Sequence, residues 1–197
     1  TLSTLSASEY PNLESWQGEV DIQLTRAQLR KLLDDTAISM ANQDVRYYLN
    51  GLLFEVDNGA VKAVATDGHR LALSSLELPG LVAQQKQIII PRKGVLEVMR
   101  LLASDEQLIT LSLGQNHIRL TDSNYVFSSK LIDGRFPDYR RVLPRNSNKL
   151  VTAHRNVLKD ACTRASILSN EKYRGVKLDI SPGQLKIVAH NPEQEEA

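Results

Sequence analysis

The sequence predicts an α+β fold built from a repeated unit of strand, helix, strand and hairpin. Three observations lead to this prediction. Strands with alternating apolar residues precede helices that have one apolar face, strands joined by short polar turns follow each helix, and this order recurs along the chain. Because the helices stand apart from strands that form hairpins, the class is α+β with antiparallel sheets.

The first copy of the unit begins at residue 20. Residues 20–24 alternate between apolar and polar side chains, which predicts a half-buried strand, and Thr25 is a suitable N-cap for a helix. Residues 52–56 and 61–65 predict a hairpin, and residues 71–78 a further strand. The predicted helix has an apolar face made of Leu29, Leu32, Leu33, Thr36, Ala37 and Met40.

The order of elements then recurs twice. In the second copy, Pro91 opens a helix, and the predicted strands are 87–90, 108–113, 117–121 and 125–131. In the third, a helix over 154–169 directs Leu158, Ala161, Cys162 and Ala165 inward, and the predicted strands are 150–153, 176–180 and 184–189. We therefore expect a linker over 1–19, a domain of two copies over 20–138, and the start of another domain over 139–197.

Composition excludes several classes of protein. The 197 residues carry 24 Lys and Arg against 23 Asp and Glu, so the net charge of +1 excludes a uniformly basic nucleic-acid binder. The single Cys162 excludes an intrachain disulfide framework and a zinc site made of cysteines, and four scattered histidines form no motif for a metal. We expect no metal, no cofactor, no membrane contact and, without a visible signal peptide, a cytoplasmic protein.

Positive charge is concentrated on the predicted helices, which hold nine basic and four acidic residues. Arg26 and Arg30 are four residues apart, as are Arg155 and Lys159, so each pair is expected opposite an apolar stripe. Aligned helices would then present one basic surface that meets phosphates without reading bases. The alternative is that these are ordinary solvated helix faces.

Two short motifs are candidates for function. Residues 43–51 contain adjacent tyrosines that can stack on bases or on apolar partners, and Arg46 can pair with phosphate. The alternative is that one tyrosine packs on the core and the other covers the surface. Residues 65–71 contain an Asp-Gly turn in which Asp67 and His69 could be the acid and base of a small hydrolase. No nucleophile, phosphate loop or third orienting group accompanies them, so a structural or partner-binding turn is favoured.

Two further segments suggest contacts between domains or subunits. Residues 131–144 carry Phe136, two prolines and three arginines, which is typical of a connector that lies over apolar surface or of a plain linker. Ile167 and Leu168 end a predicted helix, either as core or as a patch for another subunit. Besides a hydrolase and a protein that binds phosphates without reading bases, the chain could be a sequence-specific DNA-binding module. Arg26 and Gln28 supply too few base-reading side chains for a recognition helix.

Together the motifs resemble the bacterial β sliding clamp family, the processivity subunit of DNA polymerase III. The stretches that carry the resemblance are spread over residues 43–197 and are QDVRYYLNG, ATDGHRLA, IPRKGVLE, SSKLIDGRFPDYRRVLP, ILSNEKYRGV and NPEQEEA. The resemblance implies the DNA-clamp fold: a homodimeric ring of three similar domains per subunit, with helices lining a channel around double-stranded DNA and antiparallel sheets outside. It also implies no catalytic site, and weak, salt-sensitive contacts with DNA.

The resemblance assigns roles to residues at matching positions. It implies a cleft that binds peptides of the polymerase III catalytic subunit, the clamp loader and other proteins with clamp-binding motifs, formed by Leu49, Thr66, Gly68, His69, Arg70, Leu71, Pro137, Arg141 and Val142. DNA contacts map onto Gln43, Arg46, Tyr47 and Tyr48, with Lys93 a channel candidate beside the helix residues Arg26, Arg30, Arg155 and Lys159. Ile167 and Leu168 match the dimer interface.

The resemblance also implies that the chain is an excerpt. By this reading, residues 1–19 end the first clamp domain, 20–138 form the second, and 139–197 open the third. Most of the first domain and the last part of the third, which supplies the other wall of the cleft, would be absent. We therefore expect that this chain alone neither closes a ring nor presents the whole cleft.

Overall fold

Two four-stranded antiparallel sheets and two helices form most of the first of two structural units. The computed structural model describes residues 4–9, 18–57, 59–83, 85–167, 169 and 175–191, and the chain divides into units after Val142. The elements of the first unit are β1 (Val20–Thr25), α1 (Arg26–Thr36), β2 (Gly51–Asp57), β3 (Ala60–Thr66), β4 (Leu71–Glu77), β5 (Lys86–Pro91), α2 (Arg92–Leu101), β6 (Leu108–Leu113), β7 (His117–Thr121) and β8 (Val126–Lys130). The predicted strands and helices of this unit are confirmed to within a few residues.

The two sequence repeats exchange their first strands. One sheet has the order β1-β6-β7-β8 and the other β4-β3-β2-β5, so each combines one strand of one repeat with three of the other. Ile22 of β1 is opposite Leu111 of β6, and Leu53 of β2 is opposite Ile89 of β5. The periodicity of the sequence predicts the strands but not this exchange, because it carries no information about which strands pair.

Residues of both sheets and both helices share the main apolar core. Leu29, Leu32 and Leu33 are buried on the predicted face of α1, and Val95 and Val98 on that of α2. Burial of each such side chain contributes roughly 2 kcal/mol before the entropy of ordering is counted. The helices are therefore held against the sheets by the stripes that the sequence predicts.

The start of α1 is fixed by a capping box. The Thr25 hydroxyl accepts from the Gln28 backbone N–H at 3.2 Å, and Gln28 Oε1 accepts from the Thr25 N–H at 2.8 Å. Two backbone donors that the helix leaves unpaired are thereby satisfied. The prediction that Thr25 is the N-cap is confirmed.

The second unit contains one helix and one hairpin among its described residues. These are α3 (Arg155–Ile167), β9 (Lys177–Ser181) and β10 (Gln184–Val188), and β9 pairs antiparallel with β10. The side chains predicted to face inward from α3, among them Leu158 and Cys162, are only half-buried. This helix therefore covers less apolar surface than α1 or α2.

One prediction about this part of the chain is corrected. The predicted strand at 150–153 is wrong, because these residues join no sheet and Leu150 is 91% exposed. Alternating apolar residues make a strand only where a neighbouring strand accepts its backbone hydrogen bonds. The domain boundary expected after residue 138 stays a prediction, while residues 139–142 pack with the first unit, where Tyr139 is buried.

Candidate partner-binding site and nucleic-acid surface

A second, smaller apolar cluster lies on the face of the β4-β3-β2-β5 sheet that turns away from the main core. Successive side chains of a strand point to opposite faces, so Leu52 and Phe54 enter the main core while Leu53 enters the second cluster. The buried members of this cluster are Ala41, Leu49, Leu53, Val64, Ile89, Phe136 and Tyr139. Both faces of this sheet are therefore covered, which explains the nearly continuous burial of β2.

Residues 131–142, which we call the connector, cover this second cluster. The Ile132 N–H donates to the Ile89 carbonyl at 2.9 Å, and Phe136 and Tyr139 are buried against the sheet. A 3₁₀ turn over Tyr139–Arg141 follows, with the Asp138 carboxylate accepting from the Arg140 N–H. The connector is thus packed on the first unit, as predicted for a segment lying over apolar surface.

An open cavity of about 770 Å³ lies beside the connector. Its lining residues are Tyr48, Leu53, Gln87, Arg135, Phe136, Pro137, Asp138, Tyr139, Arg140 and Arg141. Of the predicted cleft residues, Pro137 and Arg141 line this cavity directly, and Val142 follows them with 66% of its surface exposed. The lining combines apolar side chains with three arginines, so the cavity offers both apolar contact and positive charge to a ligand.

Leu49 and Leu71 belong to the second cluster but differ in access. Leu71 packs on the edge of the cluster and stays half-buried, so part of its side chain is open to a partner. Leu49 is only 2% exposed. The expectation that Leu49 contacts a partner stays a prediction, and in this structure the second cluster encloses its side chain.

The predicted turn at 66–71 is held by its own side chains. Thr66 Oγ1 donates to the Arg70 carbonyl at 2.7 Å, and the Asp67 carboxylate accepts from the backbone N–H groups of His69 and Arg70 at 2.9 and 3.0 Å. The bond from His69, opposed in part by burial, lowers the pKa of Asp67. Asp67 is committed to the turn, so the hydrolase alternative, in which it works with the His69 ring, finds no support.

The loop at 43–51 lies directly against this turn. Arg46 Nη2 donates to the Asp67 carbonyl at 3.1 Å, and a Cβ on Gly68 would come within 2.9 Å of the Arg46 guanidinium. Gly68 has a φ of +89°, a conformation that glycine adopts without strain. The two motifs singled out in the sequence therefore form one surface, with Arg46 as the contact between them.

Arg46 is itself held by a carboxylate. Its Nε and Nη2 donate to the two Asp44 oxygens at 3.0 and 2.8 Å, and this pairing lowers the pKa of Asp44 to about 2. Tyr47 and Tyr48 meet edge to face with ring centroids 5.7 Å apart. Tyr47 is 56% exposed and open to a ligand, whereas Tyr48 packs against the second cluster.

Two of the helix arginines, Arg26 and Arg30, do not contribute to the basic surface that the sequence suggested. Arg26 is buried, and its Nε and Nη2 each donate to Asp122 at 2.6 Å while Nη1 donates to Asp105 at 2.9 Å. The prediction that Arg26 points away from the protein is wrong: its guanidinium is neutralised by two carboxylates. It joins α1 to segments that follow α2 and β7.

Arg30 is also committed to the protein. Its Nη1 donates to the carbonyls of Met99 and Leu102 at 2.6 and 3.0 Å, and its Nε donates to Asp34 at 2.8 Å. It therefore caps the last turn of α2, whose carbonyls have no partner within the helix. Helical spacing places Arg30 correctly on α1, but it cannot reveal that a second helix ends beside it.

The remaining predicted residues are exposed. Lys93 near the start of α2, and Arg155 and Lys159 on α3, present their side chains to solvent. Ile167 at the end of α3 is 76% exposed, and Leu168 lies outside the described residues. In the described ranges, no helix is long and apolar enough to cross a membrane, and no cluster of His, Cys, Asp and Glu is arranged to hold a metal.

Sequence reasoning missed Glu55, the acidic residue that is buried within the apolar strand β2. Its side chain is fully buried, and one oxygen accepts from Arg140 Nη2 at 2.7 Å and from the Tyr139 hydroxyl at 3.3 Å. Burial and the neighbouring carboxylate raise the pKa of Tyr139. The signal in the sequence was the charge itself, in the run Leu-Leu-Phe-Glu-Val.

Comparison with known families matches both units. Residues 23–138 match the family described as "DNA polymerase III beta subunit, central domain", and residues 140–197 match "DNA polymerase III beta subunit, C-terminal domain". The protein named "Beta sliding clamp" is 55% identical to this chain in Proteus mirabilis and 52% identical in Escherichia coli K12. Each alignment covers 100% of this chain and 54% of the relative, so the chain spans about half the length of these relatives.

Solved structures share the fold. The DNA polymerase III subunit beta of Pseudomonas aeruginosa superimposes with a TM-score of 0.93 at 52% identity, covering 99% of this chain and 54% of that one. A sliding clamp of the same organism bound to griselimycin superimposes with a TM-score of 0.90 at 52% identity, covering 99% of this chain and 53% of that one. The predicted α+β clamp fold is confirmed, and the chain belongs to the DNA polymerase III beta subunit family, the bacterial sliding clamps.

Proposed function

We propose that this chain is part of a sliding clamp that encircles double-stranded DNA and tethers the replicative polymerase to it. The observation that carries the proposal is the joined surface of the 43–51 loop and the 66–71 turn, which the resemblance assigns to DNA and to partner peptides respectively. The clamp has no catalytic site of its own and acts as a homodimeric ring in the cytoplasm. In this assignment, residues 1–19 end the first clamp domain, 20–138 form the second and 139–197 open the third.

The peptide cleft of the proposal is centred on the cavity beside the connector. Leu49, Leu71, Pro137 and Val142 would take apolar anchors of a partner, and His69, Arg70 and Arg141 would form the polar rim. Thr66 and Gly68 would complete the cleft from the turn that holds His69 and Arg70. Polymerase III, the clamp loader and other proteins with clamp-binding motifs would compete for this cleft, and the griselimycin bound by the Pseudomonas clamp is a candidate ligand.

The DNA surface of the proposal is sequence-independent. Gln43, Arg46, Tyr47 and Tyr48 would contact the duplex from the loop, and Lys93, Arg155 and Lys159 would contribute charge from the helices. Arg26 and Arg30 are left out because their guanidinium groups are occupied within the protein. Few contacts to phosphate keep binding weak, which allows the ring to slide.

Retention on DNA tests the proposed topology. We expect the protein at its full natural length to stay on closed circular DNA after loading and to leave once the DNA is cut, measured by gel filtration of the complex. Raising the salt concentration separates topological retention from direct binding, because only direct binding is strongly screened. Equal retention on circular and cut DNA would contradict the proposal.

Peptide affinity tests the cleft. We expect Leu71→Ala to weaken binding of a fluorescein-labelled five-residue peptide with adjacent Leu and Phe roughly tenfold, measured by fluorescence anisotropy. Leu108→Ala is the matched control, since Leu108 is exposed on the other sheet. An unchanged affinity in the Leu71 variant would remove this residue from the site.

The dimer contact is tested separately. We propose that Ile167 and Leu168 face the other subunit, with the exposed Ile167 side chain as support. Ile167→Asp should shift the full-length protein toward monomer in sedimentation velocity, because an unpaired carboxylate resists burial. A sedimentation profile equal to that of the wild type would contradict this assignment.

A further inference from the structure

We propose that Glu55 is a positioning residue for the partner cleft: from inside the sheet it holds the connector that forms one wall. The effect on partner binding rests on the proposed function, whereas the contact of Glu55 with the connector lies wholly within the first unit. Glu55 does not line the cavity and would touch no partner. It acts through Arg140 and Tyr139, two residues that do line the cavity.

The position of Glu55 in the sheet directs its carboxylate under the connector. In β2 it is two residues from Leu53, so both side chains lie on the face of the second cluster. Lys62 of β3 and Gln87 of β5 are opposite it in register. The Gln87 amide donates to Glu55 Oε2, and Lys62 Nζ lies 3.7 Å from Oε1.

The connector supplies the remaining partners of the buried carboxylate. Arg140 Nη2 donates to Glu55 Oε1 at 2.7 Å and the Tyr139 hydroxyl donates to the same oxygen at 3.3 Å. The Arg140 guanidinium also lies over the Tyr139 ring, 5.1 Å from its centroid. Because a buried carboxylate is costly without charged and hydrogen-bonded partners, the fold is held in the arrangement that keeps these partners in place.

These contacts fix the segment between two proposed cleft residues. Pro137 and Arg141 flank the anchored residues, and the adjacent Arg140 N–H is bound by Asp138. A 3₁₀ turn of three residues has few hydrogen bonds of its own, so its position depends on what its side chains contact. Without Glu55 the turn would keep the apolar contact of Tyr139 but lose the ion pair between Arg140 and the strand.

The test breaks the contact from each side. We expect Glu55→Gln and Arg140→Gln in the full-length protein each to weaken binding of the labelled Leu-Phe peptide about tenfold. The double variant should lose no more than either single variant, because both remove the same contact. Arg140→Gln keeps the test valid if Glu55→Gln fails to fold, since the Arg140 side chain is half exposed.

A matched control separates positioning from general loss of stability. Asp122→Asn also removes a buried carboxylate paired with arginine, but at the end of β7 in the other sheet and not in the sheet that the connector covers. It should leave the peptide Kd within about twofold of the wild-type value, since no cleft residue depends on it. Equal weakening in the Asp122 and Glu55 variants would overturn the inference, as would wild-type affinity in both Glu55→Gln and Arg140→Gln.

Hydrogen exchange distinguishes failure of this inference from failure of the proposed function. In Glu55→Gln and Arg140→Gln we expect the backbone amides of 138–142 to exchange faster while those of β1 and β6 stay protected. If the wild-type protein binds no such peptide, the proposed cleft fails, but faster exchange still supports the anchoring by Glu55. Unchanged exchange of 138–142 overturns the inference whatever the peptide result.

Discussion

Leu49→Ala is expected to destabilise the first unit more than it alters any surface. Leu49 is 2% exposed and packs with Leu53, Val64 and Ile89 in the second cluster. Buried Leu→Ala changes cost about 2.7–5.0 kcal/mol, depending on how far the site collapses around the missing atoms. Because this cluster is small and covered by a connector rather than by a second sheet, we expect a value near the lower end, about 3 kcal/mol.

Urea unfolding followed by far-ultraviolet circular dichroism measures this loss. A change of about 3 kcal/mol should lower the midpoint with an unchanged slope, and should lower Tm by roughly 10 °C for a unit of this size. Leu108→Ala makes the same chemical change at a residue that is 63% exposed, and should cost less than about 1 kcal/mol.

The comparison of the two variants can refute the reasoning. A loss below about 1 kcal/mol in Leu49→Ala would mean that the second cluster contributes little to stability. Equal losses of unfolding free energy in both variants would mean that the burial seen in this structure does not predict which leucine contributes more to stability. Weaker peptide binding in Leu49→Ala would not replace this measurement, because it reports contact with a partner and not the contribution of the second cluster to stability.

Three further predictions concern charge and the turn. Asp44→Asn removes a negative charge beside Arg46 on the proposed DNA surface, so DNA should bind more tightly at low salt, and an unchanged affinity would contradict this. Gly68→Ala places a methyl group at positive φ against Arg46 and should cost about 1–2 kcal/mol in urea unfolding; a neutral result would show that the turn relaxes. The pKa of Asp122 is lowered to about 2 by Arg26, so its stabilising contribution is complete above the ordinary carboxyl pKa and is lost as pH falls from about 4 toward 2. Wild type and Asp122→Asn should therefore converge in unfolding free energy over that window, and a constant difference would be evidence against the pair.

Local features of the sequence predicted most elements of the fold. Hydrophobic periodicity placed the strands of the first unit and the apolar faces of α1 and α2, and Thr25 identified the start of a helix. These predictions succeed because hydrophobic periodicity and helix capping depend on residues that are close together in the sequence. The strand at 150–153 was wrong because pairing with another strand does not depend on such residues alone.

The candidate site was predictable in its motifs but not in its contacts. The loop at 43–51 and the turn at 66–71 were recognised separately, and the structure brings them together through Arg46. Helical spacing predicted that Arg26 is exposed, whereas it is buried. The spacing could not show this, because the carboxylates that pair with Arg26 are 79 and 96 residues away in the chain. Glu55 was missed for the same reason, since its partners come from a segment 84–85 residues later.

The exchange of first strands has a consequence for how the chain folds during synthesis. β1 is made early, yet its partner β6 lies far downstream, with Ile22 opposite Leu111. At about 5–20 residues per second, β1 waits on the order of 4–18 seconds for that partner to emerge from the ribosome. During this interval Ile22 and Leu24 lack their partner strand, so the β1-β6-β7-β8 sheet can be completed only after the second repeat has been made.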